Sequence, residues 1–182
     1  AADALGTDLR SAECLPAAAE LSRLGNQPGS KHGCVIVAES ASAGLAGTLR
    51  VLGLGFNHHA RDTVGGQKRV IHAEVHAVVD AIQRHGEQTA FANFARSTAW
   101  VVELAGRVGY DDSFPCIQCT GMLRAVGMQR VRHSTAVGEV GLQSLGTPLP
   151  HLLAADVCGG LRKCLEIYRV PCARAERASA SA

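Results

Sequence analysis

Two short runs of this chain carry residues that hold metals and move protons: Val70-Ile71-His72-Ala73-Glu74-Val75-His76 and Phe114-Pro115-Cys116-Ile117-Gln118-Cys119. Two cysteines three positions apart at a helix start aim both sulfurs at one ion, and the positive end of the helix dipole favours their thiolates. One imidazole from the start of another helix, His72, completes three protein ligands. Three ligands leave a fourth position for water, the arrangement of a catalytic zinc rather than a structural one. Bound zinc lowers the pKa of such a water to about 7. Glu74 lies two residues beyond His72 on the same first turn, where its carboxylate reaches the water without binding the metal.

Each half of this pattern is weak by itself. A lone Cys-x-x-Cys is more often a structural zinc or a redox pair, and a lone first-turn glutamate is by default a solvated acid near the helix dipole. In this order, each at a helix start preceded by an extended run, the two halves become specific. His76 stands four residues after His72 and is an alternative ligand, as in helical His pairs, but three ligands are already supplied; a place beside the pocket is its other reading. Asn57 reads about equally as a turn residue or a substrate contact. Arg61, Lys68 and Arg69 form a charged stretch that a 5′-phosphate would suit, though a solvated loop is the plainer reading.

The elements that must position these groups follow from periodicity. Residues 33–38 and 49–56 read as buried strands forming a hairpin-like pair, and 97–104 and 128–135 as two more. Val75, Val78, Val79 and Ile82 form one apolar stripe on a helix over residues 72–84. Pro115 suits the first position of a second helix, which Gly127 ends. A helix is expected within residues 8–24, starting at Pro16 because proline interrupts the pattern. Another is expected over 154–168, with 173–182 as a frayed tail. Residues 57–69 read as a polar loop, and Tyr110 and Asp112 as ordinary loop residues. Strands alternating with helices predict a layered α/β domain, here a single one over residues 1–172. Parallel pairing is expected wherever a helix separates two strands.

The chain has 182 residues, 47% of them hydrophobic but only 4% aromatic, so aliphatic side chains must fill the core. A net charge of +2 is too mild to argue for nucleic acid. No apolar run reaches membrane-spanning length, and residues 1–20 lack the basic start and long apolar stretch of a secretory signal. Seven cysteines, an odd number in a chain of this length, do not suit a disulfide scaffold. The expected setting is reducing and intracellular, cytoplasmic by default, or an organelle if a targeting segment was removed.

The combined pattern resembles the zinc-dependent cytidine/deoxycytidylate deaminase superfamily, whose signature is His-x-Glu followed by Pro-Cys-x-x-Cys. The similarity extends over roughly residues 30–170 and looks closest to deoxycytidylate deaminases, through Gly55-Phe56-Asn57, the two metal runs, and Ala125-Val126-Gly127-Met128. The resemblance implies a three-layer α/β/α fold with a central mixed five-stranded sheet, its fifth strand near residues 141–145 or 167–170. It implies zinc on His72, Cys116 and Cys119, with Glu74 carrying protons. Asn57 would hold the sugar, and Ala73 and Pro115 would be further substrate contacts. The implied reaction is hydrolytic deamination of a cytosine nucleotide, deoxycytidylate or a related compound, giving ammonia and the uracil product. Alternatives are a transfer-RNA adenosine or other nucleobase deaminase, the pyrimidine deaminase of riboflavin synthesis, and a non-catalytic deaminase-like subunit. The implied partners are a small-molecule substrate and a second copy of the chain or a larger complex. Two departures from the family pattern stand out: the extra residues 105–112 before Pro115, and His58-His59-Ala60 after Asn57.

Overall fold

The computed structural model describes residues 8–27, 29–39, 47–64, 67–106 and 109–146, with nothing said of side chains 60–69. Its central feature is a mixed sheet. Strands β1 (Asp8–Arg10), β3 (Thr48–Phe56), β2 (Lys31–Glu39), β6 (Ser97–Ala105), β8 (Arg130–Ser134) and β9 (Val140–Ser144) lie side by side in that order. A short β7 (Gly109–Asp111) pairs with β6. Five longer strands thus form the expected sheet, the fifth falling at Val140–Ser144, and two three-residue strands extend it.

Both faces of the middle strands are covered, which explains their near-continuous apolar runs. Along β2, Cys34, Ile36 and Ala38 join one core cluster while Val35 and Val37 join the other. Helix α1 (Ser11–Ser22) packs on the second face. Helices α2 (Ala73–His85), α3 (Glu87–Phe94) and α4 (Ile117–Ala125) contribute to the first. The predicted stripe of α2 is confirmed: Val78, Val79 and Ile82 are buried, and Val75 packs against them partly exposed. Parallel pairing appears between β6 and β8, which α4 separates. It does not appear between β3 and β6, because β2 lies between them, antiparallel to both.

Several local expectations are corrected. Helix α1 begins at Ser11 and contains Pro16 rather than starting there. The ring lies on the exposed side of the helix, while Leu15, Ala17, Ala18, Ala19 and Leu21 bury the other side and offset the lost hydrogen bond. Pro115 precedes the cap of α4, whose N-cap is Cys116. The polar stretch after Asn57 is a two-stranded antiparallel ladder, β4 (His58–Val64) with β5 (Gln67–Ile71). Backbone pairing forms it with no apolar alternation to announce it. The extra residues before Pro115 fold back as β7, Glu103 opposite Asp111 and Ala105 opposite Gly109. Helix α3 carries no strong periodic signal and was not expected. The helix at 154–168, the alternative fifth strand at 167–170, the tail, and Cys158, Cys164 and Cys172 lie outside the described residues.

Glycines let the helices approach the sheet closely. A Cβ on Gly33 would stand 1.9 Å from the Ala18 carbonyl oxygen of α1. One on Gly55 would stand 2.1 Å from the Ala73 oxygen and 2.4 Å from the Ala77 nitrogen of α2. Ala73 lies between His72 and Glu74, so Gly55 sets how near the sheet the metal-binding run can sit. Gly55→Ala is expected to lower stability by about 1–3 kcal/mol, the usual cost of overpacking, read as a shift in urea midpoint. Gly121→Ala, where an added Cβ meets nothing within 4 Å, should leave the midpoint unchanged or raised.

Candidate active site

The site lies at one edge of the sheet, where β3 and β6 end and the antiparallel β2 begins. Gly33 pairs with Phe56 and Lys31 with Leu104, which brings the start of β2 beside the ends of its neighbours. Chain leaving β3 passes through the β4–β5 ladder, whose last residue, the buried Ile71, places His72 at the head of α2. His72 is the N-cap of α2 and Cys116 the N-cap of α4. Each gives its carbonyl to the first helical bond, from the His76 and Thr120 N–H groups, and its side chain stands at a positive dipole end.

These two caps bring the ligands together. His72 Nδ1 lies 3.7 Å from Cys116 Sγ and 3.5 Å from Cys119 Sγ. The three donor atoms all fall within 4.8 Å of one another. Tetrahedral bonds of about 2.3 Å to sulfur and about 2.0–2.1 Å to nitrogen separate such atoms by about 3.6 Å. The donor set therefore fits one tetrahedral divalent ion. Charge points the same way. Cys119 is buried, and burial first, then the nearby Glu74 and Cys116, push its thiol far above the ordinary range. A second thiol beside a carboxylate ionises there only with a cation to compensate.

Glu74 is 5% exposed and borders the same cavity as His72, Ala73 and Cys116. Its carboxylate acts on Cys119 by charge and by hydrogen bonding, which puts it against the ligand set but outside it. The cavity holds about 240 Å³. Asn57 is also on its wall, 3% exposed and already engaged. Its Nδ2 donates to Gln27 Oε1 and the Ser30 carbonyl, both at 2.8 Å, and its Oδ1 accepts the His32 N–H at 2.9 Å. Pro115 is buried under the turn and is not among the cavity-lining residues; its carbonyl accepts from Thr120 Oγ1 at 3.2 Å.

The turn that delivers Cys116 is anchored by two buried serines. Ser113 Oγ donates to the Val101 carbonyl at 2.7 Å, and Ser134 Oγ donates to the Asp111 carbonyl at 2.7 Å. Ser113 Oγ in turn accepts the Ser134 N–H at 2.9 Å. The β6–β7 extension is thereby tied to β8 immediately before the Phe114-Pro115-Cys116 run. After α4, Met128 N–H bonds the Leu123 carbonyl and Gly127 N–H the Arg124 carbonyl, both at 3.0 Å, with Gly127 at φ 98°. That left-handed residue closes the helix as expected.

His76 does not join the metal cluster. Its Nδ1 lies 3.2 Å from the Phe56 nitrogen and 3.1 Å from the Phe56 oxygen, and its ring stacks edge-on with Phe56 and His58. Arg61, Lys68 and Arg69 fall among the side chains not described. Sequence reading missed the cavity residues Gln27, Ser30, His32, Val70 and Phe114. Their only signal is position: Gln27 and Ser30 precede β2, His32 lies at its start, and Val70 and Phe114 open the two metal-binding runs.

Residues 8–135 match the family model described as the cytidine and deoxycytidylate deaminase zinc-binding region. The chain belongs to that family. This deaminase-family chain also shares the fold of cytidine deaminase from Burkholderia pseudomallei, with a TM-score of 0.53 at 18% identity over 78% of this chain and 98% of that one. The dCMP deaminase from the cyanophage S-TIM5 in apo form overlaps at TM-score 0.44 and 19% identity, over 68% of this chain and 81% of that one. No curated protein matches. Among the described residues no helix is long and apolar enough to cross a membrane.

Burial first, then the facing His58, holds the His76 pKa below its usual value. The folded chain therefore binds fewer protons than the unfolded one once pH drops below about 6.5, the free imidazole value. Stability is full above that pH and falls on acidification. Urea midpoints measured between about pH 7.5 and about pH 5 should decrease, and less steeply in His76→Gln. An identical slope in the variant would remove His76 as the source.

Proposed function

We propose that this chain is a zinc-dependent hydrolase that removes the amino group of a cytosine nucleotide, deoxycytidylate or a related cytosine compound, releasing ammonia and leaving the uracil product. The observation that carries the reading is the placement of a buried carboxylate, Glu74, against three donors that fit one ion, with Glu74, His72 and Cys116 lining one cavity. Zinc, when bound, supplies a Lewis acid that lowers the pKa of water to about 7. His72, Cys116 and Cys119 would hold it.

Glu74 takes the proton from the attacking water and delivers it to ring N3, then carries a proton to the departing amino group. Burial suits this work, because a carboxylate away from bulk water keeps its proton transfers within the cavity. The backbone at Ala73, fully buried at the cavity wall, supports contact with the base edge. Asn57 retains one lone pair on Oδ1 for a sugar hydroxyl. Cys116 is exposed, which supports direct access of substrate to the metal-binding side.

An ammonia-release screen over cytosine, adenine and guanine compounds, with zinc content measured on the same samples, tests the reading. Deamination of cytosine compounds with about one zinc per chain is expected. Turnover of adenine in transfer RNA alone would refute it. Glu74→Gln should retain zinc and lose turnover by about 10²–10⁴-fold or more; full activity in that variant would remove its role.

A further inference from the structure

Strand β6 keeps one partner, β2, along its whole length on one side but changes partners on the other. There it pairs with β8 from Thr98 opposite Arg130 to Val101 opposite His133, and with β7 from Glu103 opposite Asp111 onward. Backbone groups at such a change lose regular ladder partners, and buried ones must find others. Two serine hydroxyls supply them. Ser113 Oγ donates to the Val101 carbonyl and accepts the Ser134 N–H. Ser134 Oγ donates to the Asp111 carbonyl and accepts the Glu103 N–H at 3.2 Å. The Ser113 N–H closes the set on the Ser134 carbonyl at 3.1 Å.

Each hydroxyl therefore spends its one hydrogen on a backbone carbonyl and receives a backbone N–H in return. Ser113, Ser134 and Val101 are all buried, so deleting the Ser113 hydroxyl strands two buried backbone groups that must shift to find partners. Two residues separate Ser113 from Cys116, and one of them is Pro115, whose ring fixes φ. On the far side, the Pro115 carbonyl accepts Thr120 Oγ1 at 3.2 Å, and Cys116 Sγ accepts the Cys119 N–H at 3.5 Å. This short, stiff link passes a displacement at Ser113 on to both sulfurs. His72 has a separate support, the seat of α2 on Gly55 of β3. A shift at the serines thus changes the separation of thiols from imidazole, and the bonds to a bound ion tolerate only about 0.2 Å.

We propose that Ser113 and Ser134 are positioning residues of the metal centre. By joining β6, β7 and β8 where the pairing changes, they set the distance between the two sulfurs and the His72 ring, and with it the affinity for zinc. They act through Cys116 and Cys119, and neither serine lines the cavity. The inference rests on the donor group being a zinc site, as read above, and it concerns the geometry of that site rather than the substrate.

The test measures zinc affinity by chelator competition, and the absorption spectrum of the cobalt(II)-loaded chain, for the native protein, Ser113→Ala, Ser134→Ala and Val37→Ala. Val37 is buried in the α1-side cluster on the other face of the sheet, so its truncation lowers stability without touching the turn. Far-UV circular dichroism sets a temperature at which every variant is folded. Each serine variant should bind zinc about 10–100-fold more weakly than the native chain and shift the cobalt bands. The double variant should be little worse than either single one, because the bonds form one unit. Val37→Ala should lower the urea midpoint and leave both metal readouts unchanged. Serine variants with native zinc affinity and native cobalt bands would overturn the proposal, as would an equal loss of affinity in Val37→Ala. If the serine variants do not fold, Asp112→Ala decides. Asp112 is exposed, and its Oδ1 ties the same turn to the Ala136 N–H at 3.0 Å. Its loss should weaken zinc by roughly threefold or more, the scale of one hydrogen bond, and native affinity there would overturn the proposal. Zinc binding is read without substrate. Weakened binding in the serine variants of a chain that deaminates nothing would support the positioning role and sink the deaminase reading, whereas a native chain that binds neither ion would sink both.

Discussion

Two thiols and a carboxylate share one partly buried corner of this molecule, and that crowding of potential negative charge is the constraint on which the rest is built. Burial alone drives the Cys119 thiol to stay protonated, and Glu74 drives it further. A cation between His72, Cys116 and Cys119 would relieve that crowding, and the three donors are spaced to fit one. The N-termini of α2 and α4 carry His72 and Cys116 to the same point, where the positive ends of both helix dipoles favour thiolate over thiol. Two of the three donors, His72 and Cys116, are N-cap residues, and Cys119 lies in the first turn of α4.

Holding two helix ends to within a few tenths of an ångström requires a rigid support. On the α2 side it comes from glycine: with no side chain at Gly53 and Gly55, the backbone of α2 lies directly on β3. On the α4 side it comes from Ser113 and Ser134, whose hydroxyls bond the backbone of β6, β7 and β8 just before the ligand-bearing turn. The extra residues 105–112, a departure from the family pattern, thus have a physical place in the fold. Ala105 ends the strand that carries Glu103, and Gly109–Asp111 pairs back on it, the Asp111 carbonyl accepting the Ser134 hydroxyl.

The same end of the central strands that gathers the three donors gathers the other polar residues of the cavity. Because β2 runs antiparallel between β3 and β6, its first residues arrive where its neighbours end. His32 and Ser30 therefore stand beside Asn57 and Glu103, on the same framework that holds His72 and Glu74 at the cavity.

The amino-acid sequence by itself singled out His72, Cys116 and Cys119, which the fold gathers into one donor group with Glu74 on the same cavity, and it determined the four main strands and the helix on which His72 and Glu74 ride. These are legible because ligand chemistry demands particular residue types at fixed local spacings, and because buried strands and amphipathic helices leave periodic marks. Tertiary structure alone decided that Asn57 is engaged within the wall, that His76 packs against Phe56 and His58, and that Ser30, His32 and Glu103 meet. Those contacts join residues up to 73 positions apart, through strand pairing whose partners no local pattern names. The β4–β5 ladder was equally hidden, since backbone hydrogen bonds hold it without an apolar face, and Pro16 misled because buried alanines on the far side of α1 outweigh one missing hydrogen bond.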